Sequence, residues 1–410
     1  MSQLDRRNFL TASAALAASA SLGRFAPAQP AAAGWAQLVA GNTAFGLDLY
    51  GQLRTEAGNL FLSPFSISAA LGMTAAGARG KTLEEMTRLL HFPADAHAAF
   101  GNVIRSLNEE ADPKKRGFTL STANALWAQK GYPWRAEYKK LVSDAYSAGL
   151  FDVDFLSAPE EARGTINSWV MKETRDKIKD LLPPGSVTRD TRLVLTNAIY
   201  FKGDWQAPFE KKATKDLPFT LADGTKVEVP LMYRVGSYLY AENDAFQVLD
   251  LPYTGRRISM TVILPRKPDG LPAVEKDLTG GKLDAALKTL RYEREVHVHL
   301  PRFKVEKSFR LNEPLQALGM KSAFAGADFS GMHTGGEQLD ISAVIHKAFV
   351  DVNEEGTEAA AATGVVVGTT SVAPPPMPRY FRADRPFLFL IRDNTTGSVL
   401  FLGRLTNPKA

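Results

Sequence analysis

Apolar residues recur with helical spacing over Ala36 to Thr55 (Leu38, Val39, Phe45, Leu47, Leu49), and Ser63 to Ala76 continues the pattern as a second helix. Ser63-Pro64 introduces that helix, with serine as cap and proline in the first turn. The same reasoning predicts helices over Ala98–Glu110, Ala136–Tyr146 and Pro159–Ile178. Later the period changes. Arg192–Phe201, Thr225–Val229, Ile258–Leu264, Val296–Phe303, Ala343–Val352 and Phe387–Ile391 are apolar or β-branched runs of strand length. Helices early and strands late argue for an α+β fold.

Composition narrows the class without naming a function. Hydrophobic residues make up 45% and charged residues 23% of the 410, as in a globular protein with a large core. The net charge of +5 is diluted along the chain with no basic run, so nothing in the pattern indicates a nucleic-acid partner. With no cysteine, disulfides, thiolate metal sites and cysteine nucleophiles are excluded. At the N-terminus Arg6-Arg7-Asn8-Phe9-Leu10 precedes an Ala/Leu-rich stretch, Thr11 to Leu22, too short to span a bilayer. It resembles a twin-arginine export signal, with small residues for cleavage at Ala26-Pro27-Ala28 or Ala31-Ala32-Ala33. Residues 1–33 are therefore expected to be a signal peptide. Residues 34–410 would be one mature domain, delivered folded to the periplasm or outside the cell, with no membrane contact of its own.

Several candidate chemistries weaken on inspection. Ala75-Ala76-Gly77-Ala78-Arg79-Gly80-Lys81-Thr82 fits a relaxed phosphate-loop pattern, but such a loop follows a buried strand and here a helix precedes it. Gly77 and Gly80 read better as helix terminators, with Thr82 capping the next helix. His297 and His299 share one strand face as two metal ligands would, yet no third ligand is indicated, and a solvated strand face is the expectation. No nucleophile elbow or zinc-protease helix occurs, so neither an enzyme, a metal nor a cofactor is expected. Asn394-Thr395-Thr396 reads as a turn between strands.

The segment that demands explanation runs from Glu354 to Pro378. Read with period two, Thr357, Ala359, Ala361, Thr363, Val365 and Val367 form one face, all small or β-branched, as a strand entering a crowded sheet would need. Glu358 falls on the other face. The Pro-rich end, Pro374-Pro375-Pro376-Met377-Pro378, lacks backbone donors and reads as an extended tether. Only about thirty residues follow, too few to fold alone.

At these residues the chain resembles the serpin family, because Glu354-Glu355-Gly356-Thr357-Glu358-Ala359-Ala360-Ala361-Ala362 is similar to the hinge of its inhibitory members. Asn59 to Ile67, Gly77 to Thr82, Thr196 to Trp205, Asp384 to Phe389 and Leu402 to Pro408 match in order, so the resemblance covers Trp35 to the end. It implies a helical bundle on three β-sheets with an exposed reactive-centre loop. It also implies a suicide-substrate inhibitor, monomeric, whose partner is a target serine protease held in a covalent complex. Counting from the hinge puts the reactive bond at Thr370-Ser371, with Thr369-Thr370 and Ser371-Val372 as alternatives. None of these residues is basic, so elastase- or subtilisin-like proteases with small apolar pockets fit better than trypsin-like ones. Ser63, Ser66, Asn197 and His346 match the family's shutter, a polar cluster under the middle of the sheet. Trp205, Arg302 and Glu354 match its breach, where insertion begins. Some serpins do not inhibit and act as chaperones or carriers; a charge or proline on the inward hinge face would indicate that alternative, and none is present.

Overall fold

The computed structural model describes residues 35–108, 117–335, 338–357 and 377–410. The expected signal peptide lies outside these residues, as do Glu358 to Ala362 of the hinge and the reactive-bond candidates Thr369, Thr370, Ser371 and Val372. The early chain is helical: α1 (Ala36–Leu53), α2 (Pro64–Gly77), α3 (Gly80–Leu90), α4 (Ala96–Leu107), α5 (Ala136–Tyr146) and α6 (Pro159–Glu173), with the shorter α7 (Leu271–Asp277), α8 (Gly280–Lys288) and α9 (Asn312–Ala317) later. Ser63 caps α2 by accepting from the Ser66 amide, and Pro64 opens the first turn, as the sequence indicates. That helix is buried almost all round, which places it inside the molecule. Two boundaries move. α3 starts at Gly80, whose φ of +52° makes the turn itself, and the Thr82 hydroxyl accepts from the Asp328 amide instead of capping. α6 stops at Glu173, short of Ile178, because Arg175 and Asp176 adopt positive φ.

The strands are β1 (Leu60–Leu62), β2 (Phe118–Gln129), β3 (Gly149–Val153), β4 (Leu193–Asp204), β5 (Lys215–Thr220), β6 (Lys226–Glu242), β7 (Phe246–Pro252), β8 (Ile258–Pro265), β9 (Arg291–Pro301), β10 (Phe303–Arg310), β11 (Ala343–Val352), β12 (Gly356–Thr357), β13 (Arg379–Arg382), β14 (Phe387–Asp393) and β15 (Val399–Leu405). They form two hydrogen-bonded networks among the described residues. The larger runs β1-β15-β14-β8-β7-β6-β9-β13, with β5 on β6. Two of the three expected sheets are thus continuous through β6, which extends far beyond the expected Thr225–Val229. A bulge between Gly236 and Tyr238 redirects this strand, so that its start pairs with β5 and its end with β7. The smaller sheet runs β10-β11-β4-β2-β3, with β12 lodged between β11 and β4 at one end.

The smaller sheet is apolar on both faces, which explains the long buried runs of β4 and β11. Inward, Leu195, Ile199 and Phe201 of β4 and Val344, Ala348 and Val350 of β11 join the core that α2 and the larger sheet fill. Outward, Val194, Ala198, Ala343 and Ile345 pack with Ile166 and Val170 of α6 and with Ile178, Leu181, Leu182 and Val187 after it. Asn394 to Thr396 do form a turn between β14 and β15. No helix among the described residues is long and apolar enough to cross a membrane.

Candidate functional site

The site is a seam. β4 and β11 pair in parallel from Val194↔Ala343 to Tyr200↔Phe349 and then diverge. Into the opening enters β12, antiparallel to both neighbours: Thr357 pairs with Val352 on one side and Gly203 on the other, and Gly356 pairs with Asp204. A strand that separates two parallel strands runs in the same sense relative to both, here antiparallel, and antiparallel ladders are the slightly more stable kind. Gly356 has φ +155°, and a Cβ there would lie 2.1 Å from the Gly203 carbonyl oxygen. Only glycine fits that approach.

A polar cluster anchors the mouth of the seam. Glu354 is buried; Arg302 Nε donates to its two oxygens at 2.7 and 2.8 Å, and the Thr214 hydroxyl donates at 2.5 Å. Burial alone would raise the carboxyl's pKa, but the Arg302 and Thr214 hydrogen bonds outweigh it and hold the pKa below its ordinary value. Lys211 pairs with Glu355 at 2.7 Å. The amides of Trp205 and Phe209 donate to the carbonyls of Glu355 and Glu354, both at 2.8 Å. The Trp205 indole N–H donates to the Asn353 carbonyl at 2.9 Å, and its ring stacks on Tyr253. Trp205, Arg302 and Glu354, nominated from sequence as one group, therefore do meet.

Below the mouth, the four residues nominated as a shutter also converge. The Ser63 amide donates to His346 Nε2 at 3.1 Å, which leaves Nδ1 to carry the ring proton and donate to Asn197 Oδ1. Asn197 Nδ2 donates to Ser66 Oγ at 2.7 Å and to Asn124 Oδ1 at 2.6 Å, and Ser66 Oγ donates to the same Asn124 oxygen at 2.9 Å. Ser63 Oγ donates to the Leu400 carbonyl at 2.6 Å, tying the cluster to β15. His346 and Asn197 are register partners across the seam itself, so this hydrogen bond holds the two strands closed. Burial pushes the His346 pKa down to about 3, and the ring is neutral in the native state.

Sequence reasoning missed Asn124, Tyr253, Thr214 and Asn353. Asn124 belongs to β2, a strand that polar Ser121, Thr122 and Asn124 disguise; an asparagine amid apolar alternation was the one available signal. His297 and His299, expected on a solvated face, are half-buried beside tyrosines. Tyr233 is hydrogen-bonded to His297 Nδ1 at 2.8 Å and Tyr380 stacks on the same ring. No cluster of three metal-ligating side chains occurs among the described residues.

Comparison with known proteins gives a consistent picture. A family model described as Serpin (serine protease inhibitor) matches residues 40–408. The leukocyte elastase inhibitor of Bos taurus is 45% identical, spanning 91% of this chain and 100% of the relative. A serpin-like protein of Thermococcus kodakarensis is 44% identical over 89% of this chain and 84% of its own length. Among solved structures, uncleaved ovalbumin superimposes with a TM-score of 0.80 at 29% identity, covering 91% of this chain and 100% of that one.

Two predictions follow from the closed seam. Because folding lowers the His346 pKa from about 6.5 to about 3, the unfolded state binds the extra proton between those values. Its contribution is complete above pH ~6.5 and falls by about 1.4 kcal/mol per pH unit as the pH drops towards 3. Denaturant unfolding at pH 7, 6 and 5 should show this slope reduced in His346→Gln; equal slopes in variant and wild type would refute it. Asn124→Ala strands two donors, from Asn197 and Ser66, and should lower unfolding stability by about 2 kcal/mol in the same assay, against under 0.5 kcal/mol for an exposed control.

Proposed function

We propose that this chain, which belongs to the serpin family, is a single-use inhibitor of serine proteases that traps the acyl-enzyme by drawing its cleaved loop into the seam between β4 and β11. What supports the reading above all is β12: two residues of the hinge already lie between those strands, aligned with both. Continuing the same registers downward would set Ala359 opposite Val350 and Phe201, Ala361 opposite Ala348 and Ile199, Thr363 opposite His346 and Asn197, and Val365 opposite Val344 and Leu195. The two registers agree at every step. Each opposing residue faces inward, so the small side chains that the period-two face supplies are the ones this space admits. Insertion would replace one parallel ladder by two antiparallel ones, and it would bring a threonine hydroxyl to the place where the His346–Asn197 bond opens.

The protease would attack Thr370-Ser371, forming an ester between its serine oxygen and the Thr370 carbonyl carbon while the peptide bond to Ser371 breaks. The leaving amine takes the proton from the protease's general acid. Once Ser371 has departed, the N-terminal portion of the loop is free to insert, carrying the tethered protease with it before water hydrolyses the ester. This chain supplies bait and driving force, and the protease supplies the chemistry. Neutral small residues around the bond favour elastase- or subtilisin-like targets, in keeping with relatives named leukocyte elastase inhibitors.

Mixing the mature protein with an elastase or a subtilisin should yield a covalent complex that survives denaturant, and mass spectrometry should find a released C-terminal peptide beginning at Ser371. Thr357→Arg places a charge at a position that is fully buried, at a cost of several kcal/mol, and should give cleaved inhibitor with no complex. Wild type that every small-pocket protease cleaves or ignores without complex formation would overturn the inhibitory reading.

A further inference from the structure

We propose that Tyr253 is a positioning residue for the hinge: its buried hydroxyl, hydrogen-bonded to Thr357 Oγ1 at 2.7 Å, latches β12 in the mouth of the seam before any protease arrives. The proposal rests on the inhibitory reading only for its functional consequence; the latch stands on geometry alone. Tyr253 and Thr357 are both fully buried. The ring has little freedom to follow a departing partner. Trp205 stacks on it at 4.5 Å and 9°, and Phe201 meets it edge-on at 5.1 Å. It also fills the space beside Gly203, where a Cβ would lie 2.9 Å from the ring. Its backbone is fixed as well, since the Tyr253 amide donates to the Ile258 carbonyl and the Arg256 amide donates to the Tyr253 carbonyl. Among the described residues no other hydrogen bond to the phenol oxygen is found.

A phenol held in this way has one partner, and that partner belongs to the moving segment. If Thr357 leaves, the hydroxyl stays buried with its bond unmade, which penalises the open mouth by about 1–3 kcal/mol. The opposite substitution is equally informative. With phenylalanine at 253, the Thr357 hydroxyl becomes the orphan, but only while β12 is seated, so the penalty moves to the seated state. When both partners are apolar and of the same shape, neither state carries an orphan: the seat is relieved of the penalty that Tyr253→Phe alone imposes, but the open mouth no longer carries the one that holds the wild-type hinge.

Hydrogen exchange reads this equilibrium through amides that donate to the hinge: Trp205 to Glu355, Phe209 to Glu354 and Asn353 to Gly356. On the intact mature protein, exchange at Trp205 and Asn353 should quicken roughly 5- to 150-fold in Thr357→Val, since a loss of about 1–3 kcal/mol corresponds to that range, and more in Tyr253→Phe, where the penalty leaves the open state and enters the seated one. The double variant should fall back from the level of Tyr253→Phe to within about threefold of Thr357→Val, while amides of β8 stay unchanged in all four proteins as a control for folding. Unchanged hinge exchange in Tyr253→Phe, or additive effects in the double variant, would overturn the latch. A parallel titration against an elastase should show more cleaved inhibitor per trapped protease in the single variants, most in Tyr253→Phe, with the double at the level of Thr357→Val. If hinge exchange responds as stated but wild type traps no protease, the latch stands and the inhibitory reading falls.

Discussion

The parallel contact between β4 and β11 is the constraint on which the rest depends. The two strands are joined by about 140 residues of intervening chain, and their direct pairing, the side chains above and below and β12 at one end keep them adjacent. A parallel pair in the middle of an otherwise antiparallel neighbourhood is a place where one more strand improves the hydrogen bonding, because it can meet both partners antiparallel. β12 is such a strand over its two residues. At the upper end β12 separates the two strands, and below it they pair directly.

Both faces of the sheet would resist the insertion proposed for the loop. Inside, the hydrogen bond between His346 and Asn197 ties register partners on the two strands, and Asn124, Ser63 and Ser66 complete the cluster. Short polar side chains serve this purpose better than an apolar seam. If a new strand passes as proposed, their bonds can be exchanged one for another, whereas a close-packed apolar contact would have to leave a cavity. Outside, Ile178, Leu181, Leu182 and Val187 lie over Val194, Ala198, Ala343 and Ile345, and the Lys347 ammonium donates to the Lys179 carbonyl at 2.9 Å. The segment after α6 thus spans the lower half of the seam. The proposed insertion would require that cover to shift beyond His346, which would separate easy first residues from costly later ones.

The sequence made some of this legible and hid the rest for identifiable reasons. α1, α2 and α5 emerge from apolar period and caps because those signals are local, and Ser63-Pro64 carries both. The expected run Thr225–Val229 ends just before Pro230, whereas β6 continues through Pro230 and Gly236 to Glu242. In the fold the Pro230 carbonyl still accepts from the Arg302 amide, and Gly236 opens the bulge that joins two halves of the sheet. β2 was hidden by its polar residues, one of which proves to be the acceptor at the heart of the seam. The hinge, the cluster around His346 and the Glu354–Arg302 pair were nominated through family resemblance, and their geometry brings the described members of each group together. Tyr253 could not be found that way. Its partner is 104 positions distant, and an isolated tyrosine between two strands has no period to betray it.

The glycine of the hinge links sequence to mechanism most directly. Gly356 must pass within contact distance of the Gly203 carbonyl while holding a φ of +155°, and either demand alone disfavours a side chain. Gly203 in turn leaves room for the Tyr253 ring that receives Thr357. Glu354, two residues earlier, is fixed by Arg302 and Thr214, so the chain enters the seam from a rigid post rather than from a flexible arm. A fixed charge, a residue without a side chain and a small hydroxyl in that order form a pivot. The first holds, the second turns, and the third takes the first seat in the sheet. Substituting a larger residue at the second or third place would leave the post intact and block the turn, which explains why the pivot is read most clearly from the small residues and not from the charges around them.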